Sequence, residues 1–331
     1  MKSPPLSRRQ FIGAVSTAAT AAGLPHVLAA ATPTSLPMSD IPIIDTHIHL
    51  FDPTRPEGVP WPPKENATLY KPALPERYRQ LAVSLGVKGA IEVECSTWLE
   101  DNQWVLDVCD RDPIMVGAIG NLVPGQPEFR RQLERFARNP LFRGIRYGNL
   151  WDRDLGTNLA KPGFVSDLKA LADAGLVLDT ANPDAALIEA VVRTTDQVPS
   201  LRVVLDHLPK LTPPPAGAAR DAYQANLREL GRRPQVYVKV SAILREENGR
   251  ISQDLDFYRP RLDEIWDIFG EDRLLYGSDW PHSDQWGDYG QVLAIARAYF
   301  ATKSRAAAEK YFWKNSVAAY RWIKRDGSQP S

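Results

Sequence analysis

Histidine is scarce in this chain, with five among 331 residues, and cysteine is scarcer, with two. Two cysteines cannot build a disulfide-stapled scaffold. Cys95 falls at the top of a strand-like run and Cys109 near the far end of the helix-like stretch after it. That separation is too long for a disulfide, so two free thiols that pack as small apolar groups are expected. A charge excess is also missing, because 40 Lys and Arg balance 40 Asp and Glu. No run of like charge reaches five residues, so nothing favours nucleic acid or an anionic membrane as partner. Beyond residue 31 no segment is long and apolar enough to span a bilayer. No glycine-rich phosphate loop follows the first strand-like run, which counts against a doubly wound nucleotide-binding sheet. What is present is length enough for a large buried core.

The first 31 residues read as a targeting segment. Ser7-Arg8-Arg9-Gln10-Phe11-Ile12 resembles a twin-arginine export signal. A weakly apolar stretch, FIGAVSTAATAAGL, follows, and Ala29-Ala30-Ala31 offers a small-residue cleavage site. His26 would leave with it. The reading is a signal over 1–31 and one domain over 32–331. The partner is then the twin-arginine export machinery, and the destination is the periplasm.

Strand-like and helix-like segments alternate through the rest. Short apolar runs, mostly rich in Val and Ile, occupy 41–49, 86–94, 114–120, 142–147, 176–180, 201–207, 236–241 and 273–279. They lack polar alternation, as expected for strands covered on both faces. Amphipathic stretches such as 127–138, 162–174, 183–195 and 255–269 lie between them, several opening on Pro or Asp. Eight such strands with helical spacers predict a single (β/α)8 TIM barrel, without a second domain or internal repeat. Residues 51–72, rich in Pro and Trp, are too long for an ordinary strand-to-helix loop and are expected to form a lid.

The few histidines are concentrated at strand ends. His47 and His49 lie in IIDTHIHL, His207 in VVLDHLPK and His282 in LLYGSDWPHS. Strand side chains alternate, so His47 and His49 at i and i+2 share a face. Histidine is the commonest metal ligand and the side chain that titrates nearest neutrality. In a barrel these residues, with Glu94, Arg146, Lys239 and Asp279, would meet at the C-terminal mouth.

DTHIHLF, ECSTW, FRGIR, LDHLPK, YVKVS and YGSDWPHS resemble, in order, the strand-end motifs of the amidohydrolase superfamily. The likeness is to the amidohydrolase-2 branch with its pyrone-dicarboxylate lactonase, sulfomuconolactone hydrolase and sugar-acid lactonase types. It runs from Asp45 to the C-terminal helix. The resemblance implies a hydrolase of a lactone or related cyclic ester, with a small-molecule substrate. Asp279 would take a proton from water, its pKa drawn toward neutrality beside imidazoles, and His207 would orient the water or polarise the carbonyl. Arg146 suits a carboxylate clamp. Ser96 matches a substrate-contacting serine of the pyrone lactonase pattern. Lys239 either touches substrate or pairs with Glu94. His282 supports the site or meets substrate, and Tyr70, Trp98 and Trp280 are candidate pocket walls.

The sequence departs from two-metal relatives, which use ligands on strands four and five. Here those strands end in Arg146-Tyr147 and LVLDTAN. A binuclear centre is not expected. A single zinc-like ion on His47, His49 and Asp279 and a metal-free site both stay open. A metal-dependent decarboxylase, of the aminocarboxymuconate semialdehyde decarboxylase type, is the competing activity. It normally needs the missing strand-five histidine. A non-catalytic binding barrel is the third reading, opposed by the presence of Asp279.

Overall fold

The computed structural model describes residues 38–331. The signal expected over residues 1–31 lies outside them. Eight parallel strands follow one another around the sheet in chain order. They are β1 Ile43–Ile48, β2 Val87–Val93, β3 Met115–Gly120, β4 Phe142–Arg146, β5 Val177–Asp179, β6 Arg202–Leu205 and β7 Val236–Val240. After a short ribbon, β8 Glu246–Glu247 with β9 Arg250–Ile251, comes β10 Leu274–Tyr276. The ring closes where Ile48 meets Trp280 in a parallel bridge. There His49 N donates to Trp280 O at 2.8 Å and Asp279 N to His47 O at 2.9 Å. Gly277 makes this seam close enough, since a Cβ on it would lie 2.8 Å from His47 Cβ. The architecture is the expected (β/α)8 barrel.

Helices cover the outside. Phe129–Ala137, Phe164–Asp173, Ala185–Gln197 and Leu255–Phe269 stand where the amphipathic spacing placed them. Asp184 starts one by accepting from Leu187 N, and Asp288 with Gln291 forms a capping box on Tyr289–Phe300. Each cap satisfies amides that a helix start leaves free.

The barrel interior has two layers. Toward the N-terminal ends of the strands Ile44, Ile91, Val116, Val177, Val204 and Leu275 form an apolar cluster. Tyr320 and Trp322 from the C-terminal segment complete it. Above it, β1, β2, β5, β6 and β10 carry or run on into the charged residues Asp45, Glu92, Glu94, Asp179, Asp206 and Asp279. Both cysteines are buried and free, as expected.

Candidate active site

Asp279 and His207 follow their strands on single residues with left-handed backbone, φ 62° and 53°. Such conformations cost a non-glycine residue about 1–3 kcal/mol and are kept where surrounding structure holds them. Here they turn both side chains into the barrel mouth. Asp279 is 2 % exposed. Its Oδ1 faces three imidazole Nε2 atoms, His49 at 3.3 Å and His47 and His207 at 3.7 Å. Its Oδ2 accepts from His282 Nδ1 at 2.9 Å. Strands one, six and ten thus converge on one carboxylate, as the barrel reading requires.

Burial opposes the charge on Asp279, but the His207 and His282 imidazoles and hydrogen bonds from His282 and His49 outweigh it. The carboxyl is held well below the usual range. The expected drift toward neutrality is therefore corrected: imidazole contacts prevail over desolvation. His207 is neutral, because burial pushes its pKa well down against the pull of Asp279. His47 is neutral too, through burial first, then the Lys239, His49 and Arg146 charges.

Beneath this ring lies a network of buried ions. Lys239 donates to Asp179 Oδ2 at 2.6 Å and lies 2.9 Å from Asp206 Oδ1. Arg146 Nε is 3.2 Å from Asp206 Oδ2, and its terminal nitrogen donates to Glu94 O at 3.2 Å. Burial works against the Arg146 cation, yet Asp206, Glu94 and Asp279 keep its pKa above the ordinary value. Tyr320 OH donates to Asp179 Oδ2 at 2.9 Å, tying the lower layer to the upper. Buried ions are tolerated only when paired in this way.

The proposed Lys239–Glu94 pair is corrected. Lys239 pairs with Asp179 and Asp206, while the Glu94 carboxylate accepts from Trp151 Nε1 at 3.1 Å and Ser96 N at 3.2 Å. Lys239 is fully buried below the cavity and is out of a substrate's reach.

The cavity above Asp279 has a volume of about 220 Å3. His49, Arg146, His207 and His282 line it, as expected. Ser96 and Tyr70 do not. Ser96 accepts from Trp98 N and borders a neighbouring crevice, together with Trp98. Tyr70 is half-buried in the 51–72 loop, and that loop offers Trp61 to the cavity instead. Trp61 packs edge-on to His49, ring centroids 5.7 Å apart. The loop is pinned by Arg55 to Asp101 at 3.0 Å and by Asn66 to Gln285 at 3.0 Å. Trp280 is fully buried and packs on Tyr78, away from the cavity.

Sequence reasoning missed Asp179, Asp206, Trp61, Trp151, Asn182 and Lys210. Asp206 stands in the LDH motif and Asp179 at the end of the VLD strand, so strand-end carboxylates are the available signal. Asp45 was missed as well. Its Oδ1 accepts from Ser278 N at 2.9 Å and its Oδ2 from Tyr78 and Tyr289 hydroxyls at 2.8 and 2.9 Å. It fastens β1 to the turn that carries Asp279.

Atoms of His47, His207 and Asp279 lie within 4.8 Å of one another, close enough to share a metal ion. His49 is next to this set rather than within it.

The profile of the family described as amidohydrolase matches residues 44–322. The L-fucono-1,5-lactonase of Burkholderia ambifaria is 30% identical over 299 residues, covering 86% of this chain and 98% of its own. A crystal structure of an amidohydrolase from Burkholderia multivorans with bound HEPES superposes with a TM-score of 0.75 at 21% identity, covering 85% of this chain and 100% of that one. A second structure of an amidohydrolase from that organism contains zinc. A putative 2-pyrone-4,6-dicarboxylic acid hydrolase from Pseudomonas putida superposes at 0.65 with 21% identity, over 85% and 98% of the two chains. The chain belongs to the amidohydrolase family.

Proposed function

We propose that this amidohydrolase opens a lactone ring by adding water, with Asp279 as the proton acceptor. The observation that carries the reading is a buried, ionised carboxylate ringed by imidazoles on the floor of a cavity. Water attacks the lactone carbonyl as Asp279 takes its proton. His207 Nε2 and the Arg146 guanidinium face the same space and stabilise the oxyanion. Collapse of the tetrahedral intermediate breaks the ring C–O bond. The leaving oxygen takes the proton back from Asp279, giving a hydroxy acid.

A neutral sugar-acid lactone suits the cavity better than a dicarboxylate. Its lining places the Asp279 carboxylate beside the Arg146 and Lys210 cations. Arg146 is largely committed to Asp206, so its power as an anion clamp is reduced. Trp61 and Trp151 offer apolar walls for a sugar ring, and Asn182, Lys210 and His282 offer polar groups for its hydroxyls. The likeness to an L-fucono-1,5-lactonase supports the same choice. The decarboxylase reading loses ground because β5 supplies Asp179, turned to Lys239, rather than a histidine.

A divalent ion, zinc above all, would supply Lewis-acid polarisation of the carbonyl if His207 and Asp279 held it. By distance His47 could join them. Its hydrogen bonding does not suit ligation, because a lysine ammonium meets its Nδ1. The steps above therefore use protein groups alone.

The test is a panel of lactones assayed by proton release, with and without chelator. L-fucono-1,5-lactone and other aldonolactones should be opened, and 2-pyrone-4,6-dicarboxylate should be turned over far more slowly. Exclusive use of the dicarboxylate would overturn the neutral-lactone reading. Export through the twin-arginine route is proposed on Arg8-Arg9 and Ala29-Ala30-Ala31. Replacing both arginines by lysine should leave the full-length protein in the cytoplasm, and unchanged export would refute it. Among the described residues no helix is long and apolar enough to cross a membrane.

A further inference from the structure

Lys239 is the one fully buried lysine among the described residues, and the water-activation scheme gives it no task. An ammonium has three N–H donors and no lone pair. One is directed at Asp179 Oδ2, 2.6 Å away, and Asp206 Oδ1 lies at 2.9 Å. The remaining contact is His47 Nδ1 at 3.2 Å. Against such a partner Nδ1 can only accept. Asp206 Oδ1 would be the other candidate to receive an Nδ1 proton, but it lies at 3.6 Å, beyond hydrogen-bond reach. A neutral imidazole that accepts through Nδ1 carries its proton on Nε2. His47 Nε2 is buried, has no hydrogen-bond partner, and lies 3.7 Å from Asp279 Oδ1.

We propose that Lys239 is a positioning residue that locks His47 in the Nε2–H tautomer, so that His47 turns an N–H, rather than a metal-binding lone pair, toward the Asp279 carboxylate. His49, two residues away in the same motif, meets a different partner behind its ring. Its Nδ1 is 2.7 Å from the Val93 carbonyl, which can only accept, so Nδ1 carries a proton. One strand end therefore presents two histidines with different proton arrangements, each dictated by the partner behind the ring. A zinc ligand must offer a lone pair. The two histidines of the HxH motif cannot both ligate through Nε2 while the ammonium sits behind His47. The catalytic meaning of this device rests on the reading of Asp279 as base. The place of the proton does not, and it is measured without substrate.

The experiment is a long-range proton–nitrogen correlation spectrum of the metal-stripped protein labelled with 15N-histidine. His47→Asn and His49→Asn identify the two rings by loss of their signals. The expected pattern is Nε2–H for His47 and a protonated Nδ1 for His49. A protonated Nδ1 on His47 would overturn the proposal. Addition of one equivalent of zinc should leave the His47 pattern in place, and loss of its Nε2 proton would count against the assignment. In Lys239→Met the His47 signals should move toward the other tautomer, and in Lys239→Arg they should stay. An unchanged His47 pattern in a folded Lys239→Met also overturns it. If the methionine variant does not fold, the wild-type spectrum with and without zinc decides alone.

Discussion

The two ends of the barrel interior use the same strands for opposite purposes. Near the N-terminal ends, β1, β5, β6 and β10 contribute Ile44, Val177, Val204 and Leu275 to an apolar cluster closed by Tyr320. At or just past the C-terminal ends, the same strands contribute His47, Asp179, Asp206 and Asp279. The lower layer gains free energy from every apolar surface it buries. The upper layer takes ions out of water, which costs several kcal/mol each, and recovers that only through pairing. The lesson is that the reactive carboxylate is held by neighbours that are themselves balanced. Asp279 keeps its charge against burial because imidazoles surround it. Those imidazoles keep their places through Val93 O, Ser241 Oγ and Lys239.

The sharpest way to break this contrast is at Asp279. Asp279→Asn keeps the shape and loses the base, so turnover should fall by about 10²–10⁴ with substrate still bound. Because the carboxyl is held well below its ordinary value of about 3.9, Asp279 should add no acidic limb to the wild-type rate until the pH has fallen below that value. Near wild-type turnover in the asparagine variant would remove Asp279 from the role.

Next come matched truncations of the two layers. Lys239→Met leaves Asp179 without a cation and Asp206 with Arg146 alone, and should cost about 3–5 kcal/mol of stability. Leu275→Ala opens a cavity in the lower layer and should cost about 2–5 kcal/mol. Chemical unfolding measures both. The two diverge in kinetics: kcat/KM per folded molecule should hold in Leu275→Ala and drop in Lys239→Met. Equal kinetic damage would show that the layers are not separable.

The smallest effect expected is a pH term from Asp179. Burial first, then Asp206, raises its pKa to about 6 against Lys239 and Tyr320, which lower it. A carboxyl raised in the folded state favours folding when protonated. Its contribution is complete below about pH 4 and disappears as pH rises through 6, amounting to roughly 3 kcal/mol at most. The stability of wild type minus that of Asp179→Asn, followed by denaturant melts from pH 4 to 7, should fall across that window as the wild type loses this contribution. A value that rises with pH would reverse the assignment.

Much of the molecule was legible in the residue order. All eight barrel strands, four of the covering helices and the convergence of His47, His49, His207 and Asp279 followed from apolar runs and their polar ends. Periodicity reports burial, and burial in an alternating chain leaves few architectures. The errors lay in partner choice. Lys239 was paired with Glu94 or given to substrate, Ser96 and Tyr70 were placed in the cavity, and the Asp279 pKa was sent the wrong way.

Those errors share a physical cause. Local sequence carries propensity, pattern and the chemical identity of each strand end, and these were sufficient for the barrel and its mouth. Which carboxylate a buried lysine meets depends on strands brought together from distant parts of the chain. Lys239 and Asp179 are 60 residues apart, and Tyr320 is 141 from Asp179. The direction of the Asp279 shift depends on the balance between burial and four surrounding imidazoles, and on backbone turned into the left-handed region at Asp279 and His207. Distances of a few tenths of an ångström settle those balances. They exist only once the ring of strands has closed.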